Sequence, residues 1–134
     1  MAETSELLHL VRNMSPVLNQ GDYVFCTLRI GVEIEAEVIV ASVYEMEGRT
    51  VVIPLAVARQ NKLTYTSVMS WITLNVHSSL EAVGLTAVVS DALAKENISC
   101  NMLAGYYHDH LFVLKEDSTK TIVVLIGLSQ NFSK

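Results

Sequence analysis

A polar stretch at residues 77–84, with the sequence HSSLEAVG, contains the groups best suited to bind a small zwitterion. Glu81 could bind an ammonium group, and the hydroxyls of Ser78 and Ser79 could add hydrogen bonds. A predicted helix follows, and its first backbone N–H groups and its dipole attract a carboxylate. Gly84 would let the backbone approach a ligand closely. The competing interpretation is that Ser79 or Glu81 only caps the helix, while Gly84 only relieves packing.

A second polar cluster, YYHDH at residues 106–110, could contribute to the same cleft or hold a metal ion. His108 and His110 would share one face of a regular strand, and Asp109 could add a carboxylate. With His77 they would form a set of three histidines. However, Asp is favoured in turns, and a turn would direct these side chains apart. We therefore prefer a structural turn, then a contribution to the cleft, then a metal site.

The sequence gives little support for catalysis. It contains no G-x-S-x-G, C-x-x-C, G-x-G-x-x-G or G-x-x-x-x-G-K-[ST] motif, and no paired carboxylates stand out. Ser78 and Ser79 follow His77 in sequence, but a nucleophile and its base must also meet in space. We expect no enzymatic activity and no cofactor.

The composition indicates a protein with more apolar surface than one small core needs. Hydrophobic residues make up 51% of the 134 residues and charged residues 17%, so we expect a homodimer. The net charge of −5 and the scattered basic residues argue against binding to nucleic acid. No apolar run approaches the about 20 residues of a membrane span, and the N-terminus lacks a signal peptide's basic segment. Together with Cys26 and Cys100, expected to be buried thiols, this predicts a cytoplasmic protein.

The polar loop is positioned by a predicted strand and a predicted helix. Residues 72–76 alternate between apolar and polar types, as in a strand with one buried face. From Leu85, apolar residues recur at i, i+3, i+4, i+7 and i+8, one stripe of a helix that ends at Asn97. A strand begins at Ile98, and a return strand covers residues 110–115. The order predicts a strand–helix–hairpin unit with the loop at its first connection.

The remaining elements follow from local composition. Residues 121–128 (TIVVLIGL) resemble a buried strand by propensity. We predict a helix there, because the unit otherwise lacks a second helix to cover its sheet. Upstream of the unit, the predicted elements are a helix before Pro16, strands at residues 23–28, 37–44 and 50–53, a turn at Gly48 between the last two strands, and a short helix at residues 55–61.

The sequence ITLNVHSSLEAVGLTAVVSDALAKENISCNMLAGYYHDHLFVL, with GDYVFCTL upstream, resembles small bacterial proteins built from two ACT-like units. The strongest similarity covers residues 21–28 and 72–113. The resemblance implies an α+β fold in which residues 67–134 form a ferredoxin-like (ACT) βαββαβ domain. It implies a degenerate ACT-like unit at residues 1–66, with the two antiparallel sheets side by side.

The resemblance also implies a function. ACT domains generally regulate by binding amino acids or similar molecules in the loop between their first strand and first helix, here residues 77–85. Gly84 matches the glycine common in such loops, whereas Val83 replaces the usual proline. Asn101 could face the same cleft, or it could face solvent or a dimer partner. The predicted ligand-binding residues are His77, Ser78, Ser79, Glu81, Val83, Gly84, Leu85, Asn101 and His108.

The sequence thus predicts a non-enzymatic ACT-type sensor that binds a small metabolite, with an amino acid as the preferred candidate. Two alternatives stay open. One is a structural or protein-interaction module without a ligand. The other is a metal-binding protein that uses His77, His108 and His110.

Overall fold

In the computed structural model, which describes residues 2–133, the chain forms two compact units. The inserted unit contains residues 21–69, and the split unit contains the residues before and after it. The helices are α1 (Ala2–Asn13), α2 (Leu55–Gln60), α3 (Leu85–Lys95) and α4 (Ser118–Asn131). The strands are β1 (Pro16–Leu18), β2 (Tyr23–Leu28), β3 (Ala41–Glu45), β4 (Gly48–Pro54), β5 (Met69–Leu74), β6 (Asn101–Ala104) and β7 (Asp109–Leu114).

The sheet of the split unit has the strand order β1-β5-β7-β6. β1 runs antiparallel to β5, with Val17 opposite Thr73, and β6 runs antiparallel to β7, with Ala104 opposite Asp109. The ferredoxin-like succession β5-α3-β6-β7-α4 is therefore present, and its edge strand β1 precedes it in the sequence. The boundary between residues 66 and 67 stays a prediction, since the split unit also includes the first 20 residues.

The core of the split unit confirms the helical spacing predicted from Leu85 onward. Leu85, Val89 and Leu93 are buried on one face of α3. They pack with inward-facing residues of the sheet, of the other helices and of two connecting segments: Leu10, Val11, Met14, Ile72, Leu74, Ile98, Leu111, Val113 and Leu125. The loop at residues 75–84 connects this buried helix to β5.

The apolar run at residues 121–128 is helical, as predicted. Leu125 is fully buried, and the buried Thr121 hydroxyl donates a hydrogen bond of 2.8 Å to the Asp117 carbonyl. That bond satisfies a polar group inside the core. The β-branched residues are tolerated because packing of the helix against the core outweighs their modest helix propensity.

The inserted unit has the strand order β3-β4-β2, and both pairs are antiparallel. Val24, Cys26 and Leu28 point into its core, while Phe25 and Thr27 on the other face of β2 are exposed. The short helix α2 confirms the prediction for residues 55–61. The strand predicted from residue 37 begins only at Ala41, because Ala36–Val38 form a short 3-10 helix. Among the described residues, no helix combines the length and apolarity that crossing a membrane would need.

Candidate ligand-binding site

A cavity of about 470 Å³ lies between the loop after β5 and the turn that joins β6 to β7. These are the two polar clusters that the sequence singled out, and the fold brings them together. The cavity walls are formed by His77, Ser78, Ser79, Leu80 and Glu81 from the loop and by Tyr106 and Tyr107 from the turn. We call this space the Glu81 cavity.

Ser78 attaches the loop to the turn. Its backbone N–H donates to the Tyr107 carbonyl at 3.1 Å, and its side chain, 7% exposed, is hydrogen-bonded to Asp109. Farther along, Ser79 closes a local turn, since its hydroxyl oxygen accepts a hydrogen bond of 3.0 Å from the Glu81 N–H. The Ser79 carbonyl accepts another from Ala82 at 3.0 Å. These two hydrogen bonds within the loop stabilise its conformation. The Glu81 side chain is exposed at the cavity wall.

The start of α3 contradicts the interpretation that Ser79 or Glu81 caps the helix. The N-cap residue is Gly84, with φ of +107°, and no side chain caps the helix. A Cβ at Gly84 would lie 3.0 Å from Cδ2 of Leu7, so this glycine permits close packing against α1. The Leu85 side chain is buried in the core, whereas Val83 is 71% exposed. None of residues 83–85 lines the Glu81 cavity.

An aromatic group forms one side of the cavity. The rings of His77 and Tyr107 are stacked, with centroids 5.2 Å apart and planes 5° from parallel. Tyr106 meets Tyr107 edge to face at 5.0 Å. His108 does not line the cavity; its Nδ1 donates a hydrogen bond of 3.1 Å to the Val76 carbonyl at the start of the loop. His108 therefore supports the loop backbone.

Strand β7 begins at Asp109, one residue before the return strand predicted at residues 110–115, so Asp109 belongs to the strand and not to the turn. The His110 Nδ1 accepts a hydrogen bond of 3.1 Å from the Trp71 indole N–H and also contacts the Thr73 hydroxyl at 3.0 Å. The Thr73 oxygen in turn accepts a hydrogen bond of 2.9 Å from Asn19. Since an indole can only donate, the neutral His110 ring carries its proton on Nε2.

Burial changes the acid–base properties of this pair. Desolvation lowers the pKa of His110 from its usual 6.5, and the nearby charge of His108 lowers it further, against an opposing effect of Asp109. Desolvation raises the pKa of Asp109, whereas the hydrogen bond from Ser78 and the charge of His110 act in the opposite direction. Each residue therefore favours its neutral form more than it would in water.

The three-histidine metal hypothesis gains no geometric support. His77 and His108 have ring centroids 5.8 Å apart, but the His110 Nδ1 is engaged with Trp71 and Thr73. In the described part of the chain, no three His, Cys, Asp or Glu side chains are grouped so that they could hold a metal ion.

Asn101 is placed away from the Glu81 cavity. It begins β6 opposite Phe112, and its side-chain amide donates a hydrogen bond of 3.3 Å to the Phe112 carbonyl. The turn begins after Ala104, three residues farther on, which is about 10 Å along a strand. Conversely, Leu80, Tyr106 and Tyr107 line the cavity but are absent from the predicted ligand-binding residues. Their position inside a polar cluster was a signal, but only the fold shows that they face the loop.

Comparisons with known structures agree with this fold. A Vibrio cholerae protein described as of unknown function and as a possible transport protein is 42% identical, with a TM-score of 0.84 over 96% of this chain and 99% of that one. Clostridium acetobutylicum aspartate kinase, described as an allosteric enzyme, is 11% identical, with a TM-score of 0.60 over 86% of this chain and 34% of that one. A putative C-terminal regulatory domain of aspartate kinase from Porphyromonas gingivalis is 15% identical, with a TM-score of 0.58 over 88% of this chain and 98% of that one. The last two similarities concern the fold alone.

Sequence comparisons identify the family. No curated protein sequence matches the chain significantly. Two family models do match, both described as an ACT domain, one over residues 3–70 and the other over residues 66–126. These matches confirm the tandem ACT organisation and the ferredoxin-like fold class expected from the sequence. The chain belongs to the ACT domain family.

Proposed function

We propose that this ACT-family protein is a non-catalytic regulatory protein that senses an amino acid in the Glu81 cavity. The observation that carries the proposal is the cavity itself, where a carboxylate, two serines and three aromatic rings converge at the end of β5. Its volume of about 470 Å³ falls within the range typical of small-molecule sites.

The cavity walls offer a partner for each part of an amino acid. Glu81 is the only charged residue in the walls and is suited to pair with the ligand ammonium group. His77 and Ser79 can donate hydrogen bonds to the ligand carboxylate. The exposed rings of Tyr106 and Tyr107 offer apolar faces to the ligand side chain. This arrangement differs from the sequence-based hypothesis, which assigned the carboxylate to the start of α3.

The regulatory part of the proposal is supported by the family. Both sequence matches are to ACT domains, and together they cover residues 3–126. Solved structures with this fold include an aspartate kinase described as allosteric and a putative regulatory domain of aspartate kinase. We therefore infer that ligand binding changes how this protein interacts with another protein.

The test is a thermal-shift screen of the twenty amino acids, followed by calorimetry on each hit. A ligand at a hundredfold excess over its Kd stabilises the native state by about 2.7 kcal/mol. Glu81→Gln should raise the Kd at least about tenfold, equivalent to about 1.4 kcal/mol, because the ammonium group loses its charged partner. Glu116→Gln is the matched control, since Glu116 is exposed and lies outside the cavity. A screen without hits, or a Kd unchanged by Glu81→Gln, would contradict the proposal.

We also propose a homodimer, because apolar side chains are exposed on the edge strand of the split unit. Val17 is 43% exposed and Leu18 is 48% exposed, both in β1. A second copy could cover them. Sedimentation at micromolar concentration should show a dimer that Leu18→Lys weakens. A wild-type monomer would exclude this interface.

A second candidate function, a protein-interaction module without a ligand, is favoured by exposed apolar groups around the same cavity. Leu80 is 63% exposed, Val83 71% and Tyr106 77%. Under this alternative, Val83→Asp would abolish capture of a partner while Glu81→Gln would not affect it. Under the sensor proposal, amino acids would change partner capture, and Glu81→Gln would remove that response.

A further inference from the structure

The inserted unit repeats the arrangement that creates the Glu81 cavity. In the split unit, the loop after the first strand of the motif, β5, faces the turn of the β6–β7 hairpin. In the inserted unit, the loop after β2 faces the turn of the β3–β4 hairpin in the same way. A second cavity, of about 740 Å³, lies between that loop and that turn. We call it the Arg49 cavity.

The walls of the Arg49 cavity contain cations that the Glu81 cavity lacks. Arg29 comes from the loop, and Arg49 comes from the start of β4. The Arg49 guanidinium lies 5.3 Å from the centre of the Tyr44 ring, and its Nη2 donates a hydrogen bond of 3.1 Å to the Ser42 hydroxyl. These contacts hold the guanidinium in one orientation at the cavity wall.

Arg49 is incompletely satisfied in this position. Its Nε is buried and has no hydrogen-bond partner among the described residues. A buried donor without an acceptor destabilises the structure, and a guanidinium is stabilised by a nearby counter-ion. Arginine presents a planar fork that matches a carboxylate bidentately. A ligand carboxylate at the terminal nitrogens would give this guanidinium charge-assisted hydrogen bonds, while Nε stays buried behind them.

The remaining wall residues narrow the class of ligand. Glu45 and Glu47 also line the cavity, so the two carboxylates balance the two guanidinium groups and disfavour a polyanion such as a phosphate ester. Ile30 and Met46 are fully exposed at 105% and 101%, and both border the cavity. An apolar ligand body could cover these side chains and would remove them from water.

We infer that the inserted unit has a second binding site, which takes a small monocarboxylate with a short apolar chain and is anchored by Arg49. Fatty monocarboxylates and apolar amino acids share this chemistry. If the ligand is an apolar amino acid, Glu45 or Glu47 would also pair with its ammonium group. The inference does not depend on ligand binding at the Glu81 cavity.

The test is a titration of the full-length ¹⁵N-labelled protein, followed by NMR, with hexanoate, norleucine, hexan-1-ol and inorganic phosphate. Hexanoate and norleucine differ only by the amino group, so their relative affinities distinguish the two ligand sources. We expect one or both to give saturable shifts of the amides at residues 29–32 and 45–49 at concentrations up to about 10 mM. Hexan-1-ol and phosphate should bind at least about tenfold more weakly.

Variants test the role of Arg49. Arg49→Gln should weaken binding of hexanoate or norleucine at least about tenfold, and Arg49→Lys should weaken it less, because the charge remains but the fork is lost. Arg59→Gln is the matched control, since Arg59 is exposed on α2 in the same unit and outside the cavity. The inference is overturned if neither carboxylate gives saturable shifts, if hexan-1-ol or phosphate binds equally well, or if folded Arg49→Lys protein binds the carboxylates as tightly as wild type.

Discussion

The two units place a cavity at the same point of their folds, but the loops that form the cavities are held differently. In the split unit, Ser78 is buried, and it is bonded through its backbone to the opposite turn and through its side chain to Asp109 at the start of β7. In the inserted unit, the loop contains the fully exposed Ile30 and an internal bond from Val32 to Arg29 at 3.1 Å. The strand order therefore sets where a cavity forms in each unit, whereas the loop residues set the cavity's charge and the bonds that hold its loop.

The charges of the two cavities lead to opposite expectations for ligands. The Glu81 cavity has a single charged wall residue, which is acidic. The Arg49 cavity has two cations balanced by two carboxylates. We therefore expect the first cavity to select for an ammonium group and the second for a carboxylate.

The largest expected effect concerns the turn beside the Arg49 cavity. A Cβ at Gly48 would lie 2.8 Å from the Thr27 hydroxyl and 2.9 Å from the Leu28 carbonyl oxygen. Because the backbone oxygen cannot move freely, Gly48→Ala should lower the free energy of unfolding by about 1–3 kcal/mol. Gly31→Ala, where a Cβ meets nothing within 4 Å, should be affected only by its positive φ and lose about 1 kcal/mol. Urea denaturation measures both, and equal losses would contradict the steric explanation.

A crossed pair of variants tests the contrast between the cavities. Glu81→Gln should weaken binding of an amino acid found in the thermal-shift screen at least about tenfold, without changing hexanoate shifts near Arg49. Arg49→Gln should have the converse effect. Calorimetry and NMR titration on the same protein preparations provide the measurement. If either variant weakens both ligands equally while the fold is retained, the two sites are not independent.

The pH dependence of stability should distinguish the split unit through His110. Because burial lowers its pKa from 6.5, the unfolded state binds this proton more readily than the folded state does. The free energy of unfolding should therefore fall as the pH decreases through about 6.5. Asp109 acts oppositely at lower pH, because its pKa is raised from 3.8 in the folded state. Its contribution to the free energy of unfolding therefore decreases as the pH rises from about 3.8 to the folded-state pKa.

Denaturation at about pH 7.5 and about pH 5.5 checks this expectation. His110→Gln should show a smaller loss of stability between these conditions than wild type. His9→Gln, which changes an exposed residue of α1, should behave as wild type. An undiminished loss in His110→Gln would assign the pH dependence to other groups.

The smallest expected effect on stability concerns the aromatic wall of the Glu81 cavity. Tyr107→Leu removes the ring stacked on His77 at 5.2 Å. Because Tyr107 is 58% exposed, the loss of stability should stay below about 1 kcal/mol. Amino-acid binding should weaken while hexanoate binding at the Arg49 cavity stays unchanged. Calorimetry showing unaltered amino-acid affinity would remove Tyr107 from the site.

The sequence alone determined the elements whose signals are local. The spacing from Leu85 predicted the buried stripe of α3, because the side chains of one helical face repeat at fixed intervals. The hairpin at Gly48 and the family resemblance could also be predicted, since turn residues and sequence motifs are recognised within short segments of the chain. The sequence also singled out the two polar clusters from which residues 77–81 and 106–107 line one cavity, but it favoured a structural turn for the second cluster, and ligand binding by either stays a prediction.

Only the tertiary structure decided the features that depend on distant contacts. The pairing of β1 with β5 joins residues more than fifty positions apart, and three-residue PVL has no strand signal of its own. Strand register placed Asn101 beyond reach of the cavity and directed His110 toward Trp71. The helix at residues 121–128 could be predicted only from the need to cover the sheet, because its own β-branched propensity favours a strand. In each case the deciding energy comes from contacts between segments, which a local pattern does not contain.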